Sequence, residues 1–241
     1  MDLSIIIPAY NESHKIAGDI DSAAQFITEN NLNAEIIIVD DGSSDQTFQI
    51  AQKTAKEAPS NVTIKVIRNE HTGKGFAIKT GIEQASGQYI MFADSGNCVP
   101  YSDALPAINM IKDGICDIAH GSRKLQQSNI TQPQSLYRRI CSKLFHWFII
   151  YFMNMPQELS DTQCGFKIYR GDVAKKIYAN CVSNGFMFDV EVILRAKKEG
   201  YKIKEFPINW TCDRDSRLSP TRNLKNVFSE LLKIKKNLQN R

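Results

Sequence analysis

The sequence predicts an α/β fold, a Rossmann-like and mostly parallel sheet flanked by helices, with amphipathic helices toward the C-terminus. Three observations predict it. Short, unbroken β-branched runs such as Ser4-Ile5-Ile6-Ile7-Pro8 have the pattern of strands buried on both faces of a parallel sheet. Segments with helical spacing separate these runs, the rhythm of right-handed βαβ units. The composition, 42% hydrophobic and 23% charged over 241 residues, is enough to bury one large core or two modest ones and excludes disorder, collagen and small disulfide scaffolds.

The elements follow in order. Leu3 to Pro8 is the first strand, and Ile16, Ile20, Ala23, Ala24 and Ile27 mark the first helix. Glu35 to Asp40 is the second strand. A Ser43-x-x-Gln46 capping box then introduces a helix carrying Phe48, Ile50, Ala51 and Ala55. Val62 to Ile67 and Tyr89 to Ala93 repeat the strand type, with a helix after Gly73-Lys74-Gly75, and Asp117 to Gly121 is strand-like. Residues 1–120 thus read as a nucleotide-binding-like half. After His120 the rhythm breaks. Leu136 to Met155 is nearly continuously aromatic and apolar behind Arg138, Arg139 and Lys143. It is too short to span a bilayer and too apolar for an exposed helix, which leaves two readings: a core helix, or a helix lying in the headgroup layer. Gly165 to Tyr169, a helix over Phe188 to Glu199, and Ile203 to Trp210 complete the sheet region. Leu224, Val227, Phe228, Leu231 and Leu232 form the apolar stripe of a basic terminal helix. We read one domain over 1–241, with 121–220 as a second half and 221–241 as the terminal helix.

Charge is unevenly placed although its sum is only +4. Ile118 to Gln157 contains no Asp or Glu, and Asp213 to Arg241 carries eight Lys/Arg against Asp213, Asp215 and Glu230. Two basic zones point to an anionic partner such as phosphate or acidic lipid. No nucleic-acid recognition fold accompanies them. The six cysteines contain no C-x-x-C pair and read as reduced thiols rather than a zinc or disulfide frame. The N-terminus opens directly on a strand, so a cytoplasmic location is expected, with peripheral contact at the membrane face.

Four clusters could carry chemistry. Pro8-Ala9-Tyr10-Asn11-Glu12 closes the first strand, where ligands of parallel sheets bind, and Pro8, by ending the strand, frees Tyr10 and Glu12 to face a base or ribose. Asp40-Asp41-Gly42-Ser43 closes the second, and one of the two acids, Asp40 or Asp41, is placed to accept from a base N–H. Lys74 and Gly75, before a helix, can approach a diphosphate. The chain has neither a P-loop nor a G-x-G-x-x-G, which argues against P-loop NTPases and dinucleotide dehydrogenases. Asp94, closing the fourth strand, can hold a divalent ion against a diphosphate.

In this order and spacing the four clusters resemble the inverting family 2 glycosyltransferases of GT-A fold, which use nucleotide-sugar donors. Gly121-Ser122-Arg123, Arg138 with Ser142, Asp161-Thr162-Gln163-Cys164-Gly165-Phe166-Lys167, Phe188-Asp189-Val190-Glu191 and Asn209-Trp210 resemble the branch that glycosylates polyprenyl phosphates. That branch includes the dolichyl-phosphate β-glucosyltransferases and, at greater distance, the mannosyltransferases. The resemblance implies UDP-glucose or GDP-mannose as donor, a polyprenyl or dolichyl phosphate as acceptor, and Mg²⁺ or Mn²⁺ as cofactor. It assigns Arg123, Arg138 and Ser142 to the acceptor phosphate, Asp161 to orienting the substrates, and Arg217 to clamping the leaving group. One departure stands out. Where the family has Asp-x-Asp, this chain has Asp94-Ser95-Gly96, so Asp94 is left as the metal carboxylate, with Asn97 offering a neutral oxygen. The departure predicts that the metal is recruited together with the diphosphate and that Gly96→Asp tightens it.

A lipid phosphate is already an anion near neutral pH and needs no general base, so the task is to position two anions and offset their repulsion. Transfer to a saccharide hydroxyl would instead need a base, and in that reading Asp161 or Asp189 serves as the base. Asp189 and Glu191 also suit a helix start as dipole partners. A catalytically silent nucleotide-sugar-binding protein is a third reading, motivated by Gly96. His14, His71, His120 and His146 have no ligand spacing and read as incidental.

Overall fold

A computed structural model of the chain describes residues 1–132, 136–212 and 224–239. β1 (Leu3–Ala9), β2 (Ala34–Asp40), β3 (Thr63–Arg68) and β4 (Tyr89–Ala93) run parallel in the order β3-β2-β1-β4. The later strands are β5 (Ile118–Ser122), β6 (Asn129–Gln132), β7 (Phe166–Arg170), β8 (Ile203–Pro207) and β9 (Asn209–Thr211). Together they complete a seven-stranded sheet of order β3-β2-β1-β4-β7-β5-β8 and a separate parallel ribbon of β6 with β9. β7 runs antiparallel between β4 and β5, so the second half of the chain is threaded into the first half's sheet.

The helices are α1 (Ile16–Glu29), α2 (Thr47–Glu57), α3 (Lys74–Gln84), α4 (Ala104–Lys112), α5 (Leu136–Met153), α6 (Gly171–Ala179), α7 (Phe188–Lys198) and α8 (Leu224–Gln239). Strand side chains alternate between faces. Ile5, Ile7, Ile36 and Ile38 therefore pack in one layer with α1 and α4, while Ile6, Ile37 and Val39 pack in the other with α3, α6 and α7. This two-sided burial is why the strands read as continuous apolar runs. A third cluster, with Ile149, Met153, Val190, Ile193, Leu231 and Ile234, ties α5 and α8 to α7.

Several expectations change. Pro8 does not end β1 but lies inside it; β4 stops pairing at Ile6, so the donor that proline lacks is not missed there. The Ser43-x-x-Gln46 box does not form. Instead the Ser43 hydroxyl accepts from the Asn11 N–H at 2.8 Å, and the Asp45 carboxylate takes the Thr47 N–H at the start of α2. Ile203 to Trp210 is two strands in two sheets, because Pro207 has no N–H to continue the ladder and Asp103 draws the Asn209 N–H away at 2.7 Å. α4, β6 and α6 are elements that the sequence reading passes over.

α5 divides the two readings of its apolar run between its faces. Ile149 and Met153 are in the core, whereas Leu144, Trp147 and Tyr151, at i, i+3 and i+7, are 62–65% exposed. Phe228 and Leu232 of α8 are also exposed, with Phe228 packed on Phe148 and Phe152. No helix among the described residues is long and apolar enough to cross a membrane. Cys116, Cys164 and Cys181 are buried, free thiols.

Candidate active site

The carboxyl ends of β1, β2 and β4, and the turns that follow β3 and β5, converge on one rim of the sheet. Beyond β1, Asn11 takes a left-handed φ of 52°. Its main chain and side chain bond to the segment after β2: its N–H donates to Ser43, and its Oδ1 accepts from the Ser44 N–H. The Glu12 N–H donates to Thr47 Oγ1 at 2.7 Å. These bonds fix Tyr10 and Glu12 beside Asp40 and Asp41.

The two acids differ in their surroundings. Asp40 is fully buried; it accepts the Ser43 N–H at 3.3 Å and lies 3.4 Å from Arg68 Nε. Asp41 is saturated by the turn after β3, accepting from the Thr72 and Gly73 N–H groups and from His71 Nδ1 at 2.9 Å. A carboxylate has about four acceptor positions, so Asp41 has least left for a ligand. His71, read above as incidental, belongs to this cluster: its ring stacks on Tyr10 at 4.1 Å and 15°. Tyr10, His71 and Asp41 therefore form one stacked, hydrogen-bonded wall.

Gly73 and Gly75 answer first to packing. A Cβ on Gly73 would meet the Asn184 carbonyl oxygen at 2.5 Å, and one on Gly75 would meet Phe188 Cβ at 2.7 Å. The Phe76 N–H donates to that same Asn184 carbonyl, so the start of α3 is wedged against the loop before α7. From this wedge Lys74 extends to Asp94, with Nζ 2.6 Å from Oδ1. Burial works against the lysine's charge, but Asp94 and Asp189 outweigh it and hold the amine above its ordinary range. Asp94 in turn lies over Gly165, where a Cβ would sit 2.0 Å from the carboxyl carbon.

Asp161 and Arg123 form the other wall. The guanidinium approaches through Nε at 2.6 Å and Nη2 at 2.8 Å, and the Arg123 N–H donates to the same carboxylate. Burial opposes the Asp161 charge, yet Arg123 prevails and brings its carboxyl down to about 2. Glu205 of β8 anchors the pair from behind, accepting the Ser160 and Asp161 N–H groups. Arg123 also lies over the Trp210 ring at 5.4 Å. Its fork is thus half used by Asp161, which leaves its other edge for a phosphate. Asp189, 5% exposed, is paired with the buried Lys167 at 2.6 Å. Burial pushes the Asp189 carboxyl up against the pull of Lys167 and Lys74. Glu191 is structural: it accepts the Val182 and Ser183 N–H groups and binds Arg195. The side chains of Arg138 and Ser142, and the whole of Arg217, lie outside the described residues.

The profile of the family described as "Glycosyl transferase family 2" matches residues 4–178. The chain belongs to that family. It is a glycosyltransferase, and its sheet is that of the GT-A fold. The "Dolichyl-phosphate beta-glucosyltransferase" of Dictyostelium discoideum is 30% identical over 243 residues, covering 97% of this chain and 73% of the relative. The human protein of the same name is 30% identical over 233 residues, covering 90% and 70%. Among solved structures, Mycobacterium tuberculosis glucosyl-3-phosphoglycerate synthase in complex with UDP superposes with a TM-score of 0.71 at 16% identity, over 97% of this chain and 79% of the other. The same synthase with Mn²⁺, UDP and glucosyl-3-phosphoglycerate gives 0.69 at 16% identity, over 99% and 79%.

The family fold is thus compatible with Mn²⁺, but the residues around Asp94 do not assemble a protein-held divalent site. Asp94 is a single carboxylate already paired to Lys74. Asn97 does not offer the expected oxygen: its amide nitrogen donates to Gly18 O and Ser22 Oγ, which turns the side chain onto α1. Among the described residues there is no group of three metal-ligating side chains. Gly96 has a φ of 102°, a conformation that L side chains rarely adopt, and its N–H is bound by Asp19. Gly96→Asp therefore introduces strain and a second acid beside Asp19 rather than a ready ligand.

Sequence reasoning missed His71, Asp19 and Glu205. Each is recognised only through a partner more than 25 residues away. A charged residue between Ile203 and Phe206 was the one visible signal for Glu205.

Proposed function

We infer that this glycosyltransferase moves glucose, with inversion, from UDP-glucose to a polyprenyl phosphate of the dolichyl type. One observation carries the acceptor assignment: the acid nearest the acceptor side, Asp161, is locked to Arg123 and kept ionised down to about 2. Such a carboxylate is a poor proton acceptor, which suits a nucleophile that is already an anion and disfavours a hydroxyl that must be deprotonated. The names of the relatives, at about 30% identity across nearly the whole chain, support the same acceptor and sugar.

In this reading Pro8, Ala9, Tyr10 and Glu12 line the nucleoside, with Asp40 the better placed of the two acids to accept from the base. Lys74, Gly75 and Asp94 meet the diphosphate. The free edge of Arg123, with Arg138 and Ser142, holds the lipid phosphate, and the leaving diphosphate is assigned to Arg217. A lipid phosphate oxygen forms the bond to the anomeric carbon as the bond to UDP breaks, and the electron pair leaves on UDP. No proton changes hands. Arg138→Ala should raise the KM for polyprenyl phosphate about ten- to a hundredfold, the effect of one charged hydrogen bond, with UDP binding unchanged. An unchanged acceptor KM would contradict the assignment.

The exposed stripe of α5 gives this chain its contact with the lipid. Leu144, Trp147 and Tyr151 face outward, and Lys143, Lys233 and Lys236 are exposed on the same helix pair, a composition that suits an anionic headgroup layer. Trp147→Ser with Tyr151→Ser should lower binding to anionic vesicles at least about tenfold, since each ring is worth roughly 1.5–3 kcal/mol when buried. The melting temperature should stay within about 2 °C, because both rings are in solvent. Unfolding of the double variant would show that the stripe is core instead.

A further inference from the structure

The turn after β4 is built in a way that turns it away from metal binding. Asp19 of α1, 1% exposed, accepts from Ser95 Oγ, from the Gly96 N–H at 2.9 Å and from the Asn97 N–H at 3.0 Å. All three residues following Asp94 are thereby bonded backward onto α1, and the Asn97 amide joins them there. Only Asp94 faces the site, and a lysine ammonium already sits 2.6 Å from it. A divalent ion on Asp94 would have to share that carboxylate with a like charge and would gain no second protein oxygen from the turn.

Lys74 is placed against local preference. It is the first residue of α3, where the helix dipole favours acids rather than cations. The flanking glycines leave no slack, because their surroundings admit no Cβ. The side chain is 23% exposed, so its ammonium remains reachable from the rim. Asp94 and Asp189 keep it charged. A fixed cation at a helix N-terminus, with a single acid to hold it until an anion arrives, is the arrangement a diphosphate needs.

We propose that in this chain Lys74, steadied by Asp94, supplies the positive charge at the donor diphosphate, and that nucleotide binding and sugar transfer proceed without a divalent ion. The proposal rests on the nucleotide-sugar reading of the site. It also gives Asp19 a purpose, as the positioning residue that keeps the turn after Asp94 folded on α1.

The test is calorimetric titration of UDP into the 241-residue chain, in excess EDTA and again with Mn²⁺, alongside a transfer assay in the same buffers. The expected dissociation constants agree within about twofold, and transfer persists in EDTA. Lys74→Met should weaken UDP about ten- to a hundredfold in both buffers, the scale of one charged hydrogen bond, and Lys74→Arg should recover most of the loss. Gly96→Asp should show no Mn²⁺-dependent tightening. UDP binding that needs Mn²⁺, or that ignores Lys74→Met, overturns the proposal while leaving the donor assignment standing. No binding of UDP or GDP in either buffer overturns both. The wild-type comparison requires no variant to fold, and Lys74→Arg separates charge from packing.

Discussion

Gly165→Ala should lower sugar transfer about a hundredfold while barely changing the melting temperature. The added Cβ would lie 2.0 Å from the Asp94 carboxyl carbon and 2.0 Å from Oδ2. Its nearest neighbours are thus the end of a side chain that can rotate away, and the backbone at Gly165 has no φ in the left-handed region that would penalise alanine. The fold accommodates the methyl at the expense of Asp94, which swings off Lys74. A displacement of about 1 Å in a positioned group can cost on the order of a hundredfold in rate. The measurement is kcat and the KM for donor beside a thermal melt. Wild-type turnover would show that the Asp94–Lys74 pair is dispensable, whereas a fall of many degrees in melting temperature would show that Gly165 serves the core rather than the site.

Asp161→Asn should be the costlier change for stability. It strips Arg123 of a bidentate partner within a site where Asp161 is 3% exposed, and breaking a buried pair by removing one member typically costs about 3–5 kcal/mol. Arg123 keeps a quarter of its side chain in solvent, so the lower end applies: about 3 kcal/mol, or roughly 6–12 °C in a chain of this size. The acid limb carries a second signature. The Asp161 carboxyl is lowered from 3.8 to about 2, so its contribution is complete above the unfolded value and is lost as pH falls through the folded one. Wild type should therefore lose stability between pH 3.8 and about 2 with a slope that Asp161→Asn flattens. Parallel acid curves for the two proteins would mean that the pair contributes nothing.

The strands were legible because β1 and β2 are buried on both faces, and an unbroken run of three or four β-branched residues between turn signals has few other homes. The clusters at their ends were legible for a related reason, since side chains that leave a parallel sheet at its carboxyl edge must be polar and are brought together by topology alone. What hid was everything set by partners distant in sequence. Nothing near His71 announces that it will stack on Tyr10 and bind Asp41, and nothing near Asp19 shows that it will fold the turn carrying Gly96 onto α1. α5 hid its two faces for the opposite reason. Its run is so uniformly apolar that no period is visible, and only packing on α7 and α8 decides that Ile149 is core while Trp147 is exposed. β6 and α6 escaped notice because they are short and mixed in composition.

The most direct test of the account is to incubate the purified chain with UDP-glucose and three acceptors in parallel: a short polyprenyl phosphate, the corresponding polyprenol, and a soluble saccharide. The account predicts a β-linked glucosyl lipid phosphate from the first and no product from the other two. Glucose appearing on the saccharide or the free alcohol, with the lipid phosphate left unchanged, would contradict it.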